Sequence, residues 1–247
     1  MPRILVTNDD GVRSPGLRAL AEALVPLGDV TVVAPASETS AIGHALTLQR
    51  PLRLDDLGER WYAVDGTPTD CVNIAIVHVL GGPPDLIVSG INLGLNLGDD
   101  VTYSGTVSAA LEGALFGVPA VAVSVDGGRG DWHFGPAAGA ARRVARQVLA
   151  RGLPRRTLLN VNVPRGEPTG FRVTIQGDRQ HGTIVTREMD PRGRPYYWLG
   201  MSDDHWIPDR RSDVQAIRDG FVSVTPLHSD MTAHAAVDVV EELSRKF

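Results

Sequence analysis

Five short apolar runs recur along the chain, centred on Arg3–Thr7, Asp29–Pro35, Asp85–Ser89, Ala120–Ser124 and Leu158–Pro164, and stretches of helical period separate them. A strand that does not alternate apolar with polar residues has both faces covered, the pattern of a parallel sheet with helices above and below. The first helical stretch opens on Ser14-Pro15-Gly16, a start signal with serine as N-cap, and sets Leu17, Leu20, Ala21 and Leu24 at i, i+3, i+4 and i+7. Strand, helix and strand fit within about 33 residues, the size of a right-handed βαβ unit. The predicted class is α/β with a mostly parallel sheet and helices on both faces. A second helix signal is Thr67-Pro68-Thr69-Asp70, a capping box with aspartate in the closing position.

Composition narrows what such a chain can do. Its 247 residues carry 24 Lys and Arg against 29 Asp and Glu, a net charge of −5 without a long basic run, so neither a nucleic-acid duplex nor an anionic membrane is an expected partner. No apolar run approaches the roughly 18 residues of a membrane span, and Met1 leads straight into a strand rather than a signal segment. A cytoplasmic protein is expected. The single cysteine, Cys71, excludes an intramolecular disulfide and reads as a small buried hydrophobe.

The chemistry collects where the strands end. Asn8-Asp9-Asp10-Gly11 follows the first strand, and ligands of an open α/β sheet bind beyond the carboxyl ends of its strands. Adjacent carboxylates repel unless a cation lies between them, and a hard divalent ion with oxygen ligands meets that need. The loop after the second strand carries Ser40 and His44, a hydroxyl and a candidate substrate contact. After the third, Gly90-Ile91-Asn92-Leu93-Gly94-Leu95-Asn96-Leu97-Gly98 sets two amides among three glycines, so the backbone can come close to a ligand. Ser104-Gly105-Thr106 then opens a helix, offering unpaired backbone N–H groups and two hydroxyls to an anion. Asp9, Asp10, Ser40 and Asn92 thus form an oxygen ligand set, with Asn8, Asn96, Ser104, Gly105 and Thr106 as phosphate donors beside it. Phosphate-ester hydrolysis is the matching reaction, with Asp9, Asp10 and Asn96 as its catalytic residues.

A glycine-rich loop follows the fourth strand through Gly130, and a helix from about Pro136 to Arg151 turns Arg142, Arg143 and Arg146 outward. Beyond Pro164 the pattern changes. Thr183 to Glu188 and Arg194 to Leu199 read as hairpin arms around Asp190-Pro191-Arg192-Gly193, with Tyr196, Tyr197 and Trp198 on one arm. An apolar arm projecting from a domain calls for a subunit contact or an exchanged segment. Ser202 to Asp213 reads as a polar loop, Phe221 to Thr225 as a strand, and Ala233, Ala236, Val237, Val240 and Leu243 as the stripe of a last helix. The division expected is a catalytic core over 1–167 and, over 168–247, the arm, a strand and a helix that pack back on the core.

These motifs, in this order, resemble the SurE family: Val6-Thr7-Asn8-Asp9-Asp10-Gly11, Gly66-Thr67-Pro68-Thr69-Asp70-Cys71, Val88-Ser89-Gly90-Ile91-Asn92, Tyr103-Ser104-Gly105-Thr106-Val107, Asn160-Val161-Asn162-Val163-Pro164 and Thr225-Pro226-Leu227-His228. The resemblance implies a Rossmann-like fold and a metal-dependent 5′-nucleotidase acting on nucleoside monophosphates, in some members also on 3′-nucleotides and short polyphosphate. It further implies one divalent ion per subunit, Mg²⁺ or Mn²⁺, held at Asp9, Asp10, Ser40 and Asn92, and homodimers or homotetramers built through the C-terminal arm. Attack is expected from water rather than a carboxylate, because Asn8 occupies the nucleophile position of a dehalogenase-type phosphatase motif. The alternatives are a receiver-like module, which would need an aspartate where Ser89-Gly90-Ile91-Asn92 stands, and a divalent-metal protein that only binds.

Overall fold

The computed structural model describes residues 1–127, 133–179, 183–201 and 205–245. The glycine-rich stretch at 128–130 and the part of the polar loop at 202–204 lie outside them.

Nine strands form the main sheet: β1 (Arg3–Thr7), β2 (Asp29–Pro35), β3 (Leu54–Asp56), β4 (Trp61–Val64), β5 (Leu86–Leu93), β6 (Ala120–Val125), β7 (Thr157–Val163), β8 (Phe171–Val173) and β11 (Val222–His228), while β9 (Thr183–Met189) and β10 (Pro195–Met201) pair only with each other. The order across the sheet is β3-β4-β2-β1-β5-β6-β7-β11-β8. Within this sheet, among the described residues, only the β3–β4 and β7–β11 pairs are antiparallel, and β9 and β10 pair antiparallel with each other. Helices α1 (Pro15–Leu24) and α4 (Phe134–Arg151) cover one face, packing Leu17, Leu20, Leu24, Ala141 and Val148 onto Ile4, Val6, Val88 and Val121. Helices α2 (Pro68–Ile74) and α3 (Gly105–Leu115) cover the other, with Cys71, Val72, Val107 and Ala110 on Leu5, Val33 and Ile87. The central strands are buried on both sides, as their unbroken apolar runs require.

Connections from β1 run outward to β2 and those from β5 run the opposite way to β6 and β7, so the direction of winding reverses between β1 and β5. Thr7 pairs with Ser89 there, and the crevice beyond those two strand ends is the place where a doubly wound sheet takes its ligand.

The starts of α1, α2 and α3 follow the sequence closely, with one difference among them. Thr67 and Asp70 close a full capping box on α2, and the Ser104 side chain accepts from the Val107 N–H to cap α3. Ser14 holds the N-cap position of α1, but its hydroxyl is buried without a hydrogen-bond partner among the described residues.

The region after residue 167 divides. Strands β8 and β11 and the short helix α5 (Asp213–Arg218) join the main body, whereas β9 and β10 form a projecting hairpin with Tyr197, Trp198 and Leu199 exposed. Helix α5 stands where only the end of a polar loop was expected, because six residues are too few to show an apolar period. The last helix, α6 (Val237–Ser244), begins later than its apolar stripe suggested, since His234–Ala236 is a separate 3₁₀ turn, and none of its residues is buried.

Candidate active site

A cavity of about 370 Å³ opens at the crevice between β1 and β5. Asp9, Asp10, Ser40, Asn92, Asn96 and Ser104 all line it, so segments that are remote in sequence converge as their positions on the strand ends predicted.

Asp9 is the most firmly held of them. Its Oδ1 accepts from the Thr106 hydroxyl at 2.5 Å and its Oδ2 from the Thr106 N–H at 3.0 Å, so the first turn of α3 is already occupied by a carboxylate of the protein itself. Gly105 permits this: a Cβ there would lie 2.8 Å from Asp9 Cβ and 2.9 Å from its Oδ2. The Asp9 carbonyl meanwhile accepts from the Thr39 N–H at 2.8 Å, tying β1 to the loop that carries Ser40. Burial still pushes the Asp9 pKa above the ordinary carboxylate range, although the Thr106 hydroxyl and the amides of Thr106 and Gly105 pull against it.

Asp10 stands beside it with less support, a 3.4 Å contact from the Leu93 N–H. Its pKa is pushed up to about 6, first by burial and then by the charge of Asp9, with Glu38 adding to the effect. Asp9, Asp10, Glu38 and Asp100 give the cavity four carboxylates, and among the described residues no Lys, Arg or His lines it. Arg179 reaches Asp100 from outside the cavity lining.

Asn92 sits where β5 shifts register against β6, and its amide donates to the Gly94 carbonyl at 2.8 Å. Its side-chain oxygen is thereby left as the acceptor end of the amide. Asn96 is fixed from three sides. Its N–H donates to Asn162 Oδ1 at 2.8 Å, its Nδ2 donates to Ser124 Oγ at 2.8 Å, and its carbonyl accepts from the amides of Asn160 and Asn162. Ser40 is exposed on the facing loop and donates to Glu38 Oε1 at 2.7 Å.

Four expected site residues take other roles. Thr106 and Gly105 do not line the cavity, because the hydroxyl and amides that were to meet a phosphate meet Asp9 instead. Asn8 is fully buried, with its Nδ2 on the Gly11 carbonyl at 3.1 Å, and braces the turn that presents the two aspartates. His44 faces away from the cavity: its Nε2 lies 2.7 Å from Oε2 of the buried Glu112, which also accepts from Asn73. Sequence reasoning missed Glu38 and Asp100 as lining groups, and it missed Asn160 and Asn162 as the supports of Asn96. The last two carried a signal, since amides two apart inside an apolar strand are buried polar groups that need partners.

A hard divalent ion fits this site. Two adjacent carboxylates with raised pKa values have no compensating cation in the lining among the described residues, and a hydroxyl and an amide oxygen stand across from them. Fold and site together define a doubly wound α/β protein with an acidic, oxygen-lined crevice at its switch point. Residues 4–183 match the model of the family described as survival protein SurE. The chain is 53% identical over 245 residues to the 5′-nucleotidase SurE of Syntrophotalea carbinolica, covering 99% of this chain and 98% of that one, and 55% identical over 240 residues to that of Pelobacter propionicus, covering 96% and 97%. It superimposes on the crystal structure of the SurE protein from Aquifex aeolicus with a TM-score of 0.88 at 42% identity, over 98% of this chain and 100% of the other. The chain belongs to the SurE family.

Proposed function

We propose that this chain is a 5′-nucleotidase that hydrolyses the phosphate monoester of nucleoside monophosphates with the help of one divalent ion per subunit. The observation that carries the reading is the charge of the crevice. Among the described residues four carboxylates and no basic side chain line it, so a phosphate dianion meets like charge there unless a cation is present. Asp9, Asp10, Ser40 and Asn92 would hold that ion, Mg²⁺ or Mn²⁺, which when bound polarises a phosphoryl oxygen and lowers the pKa of a water molecule. The names carried by the relatives, 5′-nucleotidase SurE, support the same substrate class.

The residues around the ion site divide the remaining work. Ser104 Oγ accepts from the Val107 N–H, which leaves its own O–H to donate to a phosphoryl oxygen. The second N–H of the Asn96 amide is available for the same purpose, held in place by Ser124 and the two asparagines of β7. Asn8, Gly105 and Thr106 act through Asp9, fixing its position. The exposed hairpin and the unburied α6 form the contact through which subunits assemble as dimers or tetramers. The enzyme works in the cytoplasm, where nucleoside monophosphates are made and used.

The test is direct. Purified protein should release phosphate from AMP with added Mg²⁺ or Mn²⁺ and stop in excess chelator. Asp9→Asn should lower kcat by more than about a hundredfold, the upper end of what losing a supporting partner of a metal ligand costs, with the circular dichroism spectrum retained. Full turnover in chelator would remove this reading, and phosphate trapped covalently on Asp9 or Asp10 would replace attack by water with attack by a carboxylate.

A further inference from the structure

The loop that carries Asn92 and Asn96 is held on its inner side by β6 and β7. Its outer side is held by the base of the hairpin arm. Asp213, the first residue of α5, is completely buried and accepts hydrogen bonds from the N–H groups of Gly98 at 2.9 Å, Gly177 at 2.8 Å and Val214 at 2.8 Å. One carboxylate therefore joins three segments of chain. Gln176 adds a bond from its Nε2 to the Gly98 carbonyl at 3.2 Å. Arg179 pairs with Asp100 in the cavity wall and lies over Trp206, 5.1 Å from the ring centroid.

Arg179 and Trp206 form an antiparallel bridge, so the chain entering the arm and the chain leaving it meet at this point. The packing leaves no slack. A Cβ on Gly98 would lie 2.5 Å from the Gly177 carbonyl oxygen, and one on Gly177 would lie 2.9 Å from Asp213 Oδ1. A buried carboxylate with three N–H donors is a strong, directional restraint, because moving any one donor leaves charge unsolvated.

We infer that Asp213 is a positioning residue for the reaction: with Gln176 and Arg179 it seats the Asn92–Asp100 loop, so that the base of the arm sets where Asn96 and Asp100 stand in the cavity. Asp213 itself touches neither substrate nor ion. The inference rests on the cation-dependent nucleotidase reading above, and it makes the arm part of the active-site framework as well as a contact surface.

Asp213→Asn in the full chain keeps the size of the side chain and turns one acceptor into a donor that faces an N–H. Amide hydrogen exchange over residues 94–100 should quicken by about tenfold or more, the Mn²⁺ dissociation constant measured by calorimetry should rise by about tenfold, and kcat on AMP should fall by about the same factor. A purely structural role would lower the fraction of active protein while leaving the dissociation constant of the folded fraction unchanged. Gln176→Ala and Arg179→Gln should shift the same three readouts in the same direction by less, and they decide the matter if Asp213→Asn does not fold. Unchanged exchange over 94–100 in the folded variants overturns the inference, as does faster exchange with Mn²⁺ binding and kcat at the wild-type values. If the wild-type protein hydrolyses no nucleotide, the nucleotidase reading fails by itself, and the exchange and Mn²⁺ data still test the role of Asp213.

Discussion

At the scale of single residues, the decisive arrangement is Asp9 seated on the first turn of α3. The positive end of a helix is commonly taken by an external anion. Here it is taken by an internal one, and the crevice in front of it is left acidic. Asp10 then governs how the site responds to pH. Its pKa rises from 3.8 to about 6, so between those values the folded, ion-free protein binds more protons than the unfolded chain. Stability of the ion-free protein should therefore fall as pH rises through that window. A bound divalent ion favours the carboxylate and opposes this, so the gain in melting temperature on adding Mg²⁺ should be larger near pH 7.5 than near pH 5. Scanning calorimetry at the two pH values checks it, and an equal gain at both would contradict the assignment of Asp10. The two aspartates were legible in the sequence because acidic neighbours at a strand end are rare and costly without a cation. The commitment of Thr106 to Asp9 was not legible, since it spans 97 residues and a hydroxyl at a helix start serves a ligand or a neighbour equally well.

At the scale of elements, local signals were read well wherever one segment settles its own shape. The apolar runs located the central strands, and the capping box located the start of α2. That box also reaches beyond its helix: Thr67 Oγ1 donates to the Ala45 carbonyl at 2.7 Å, and Asp70 Oδ1 accepts from the Thr47 N–H at 2.9 Å. Thr67→Ala should thus cost about 1–2 kcal/mol, more than an isolated cap, because it frees the 45–47 segment as well. Urea denaturation measures this, and a loss below about 0.5 kcal/mol would show that the box contributes little. Elements that depend on distant partners were harder to see. Helix α5 is short, and its buried Asp213 is satisfied by Gly98, 115 residues earlier, a pairing no periodicity announces. The late start of α6 has the same origin, for a helix without a buried face has no packing to fix its first turn.

At the scale of the whole molecule, the hairpin and α6 expose apolar side chains that the rest of the chain does not cover, Trp198 at 64% and Leu199 at 77% among them. Replacing 183–201 with a short glycine-serine linker should reduce the molar mass seen by light scattering to that of a smaller assembly. A wild-type protein already monomeric at micromolar concentration would argue against assembly through the arm. The two outer strands of the main sheet bear on the same question from the other direction. Both β3 and β8 are three residues long; β3 ends in Asp55 and Asp56, and in β8 Arg172 lies over the Phe221 ring, 4.2 Å from its centroid, and pairs with Asp219. Such margins give an incoming strand too little backbone to zip onto and place charge where it would have to lie. The sheet is thereby guarded against open-ended, fibre-like stacking at either flank.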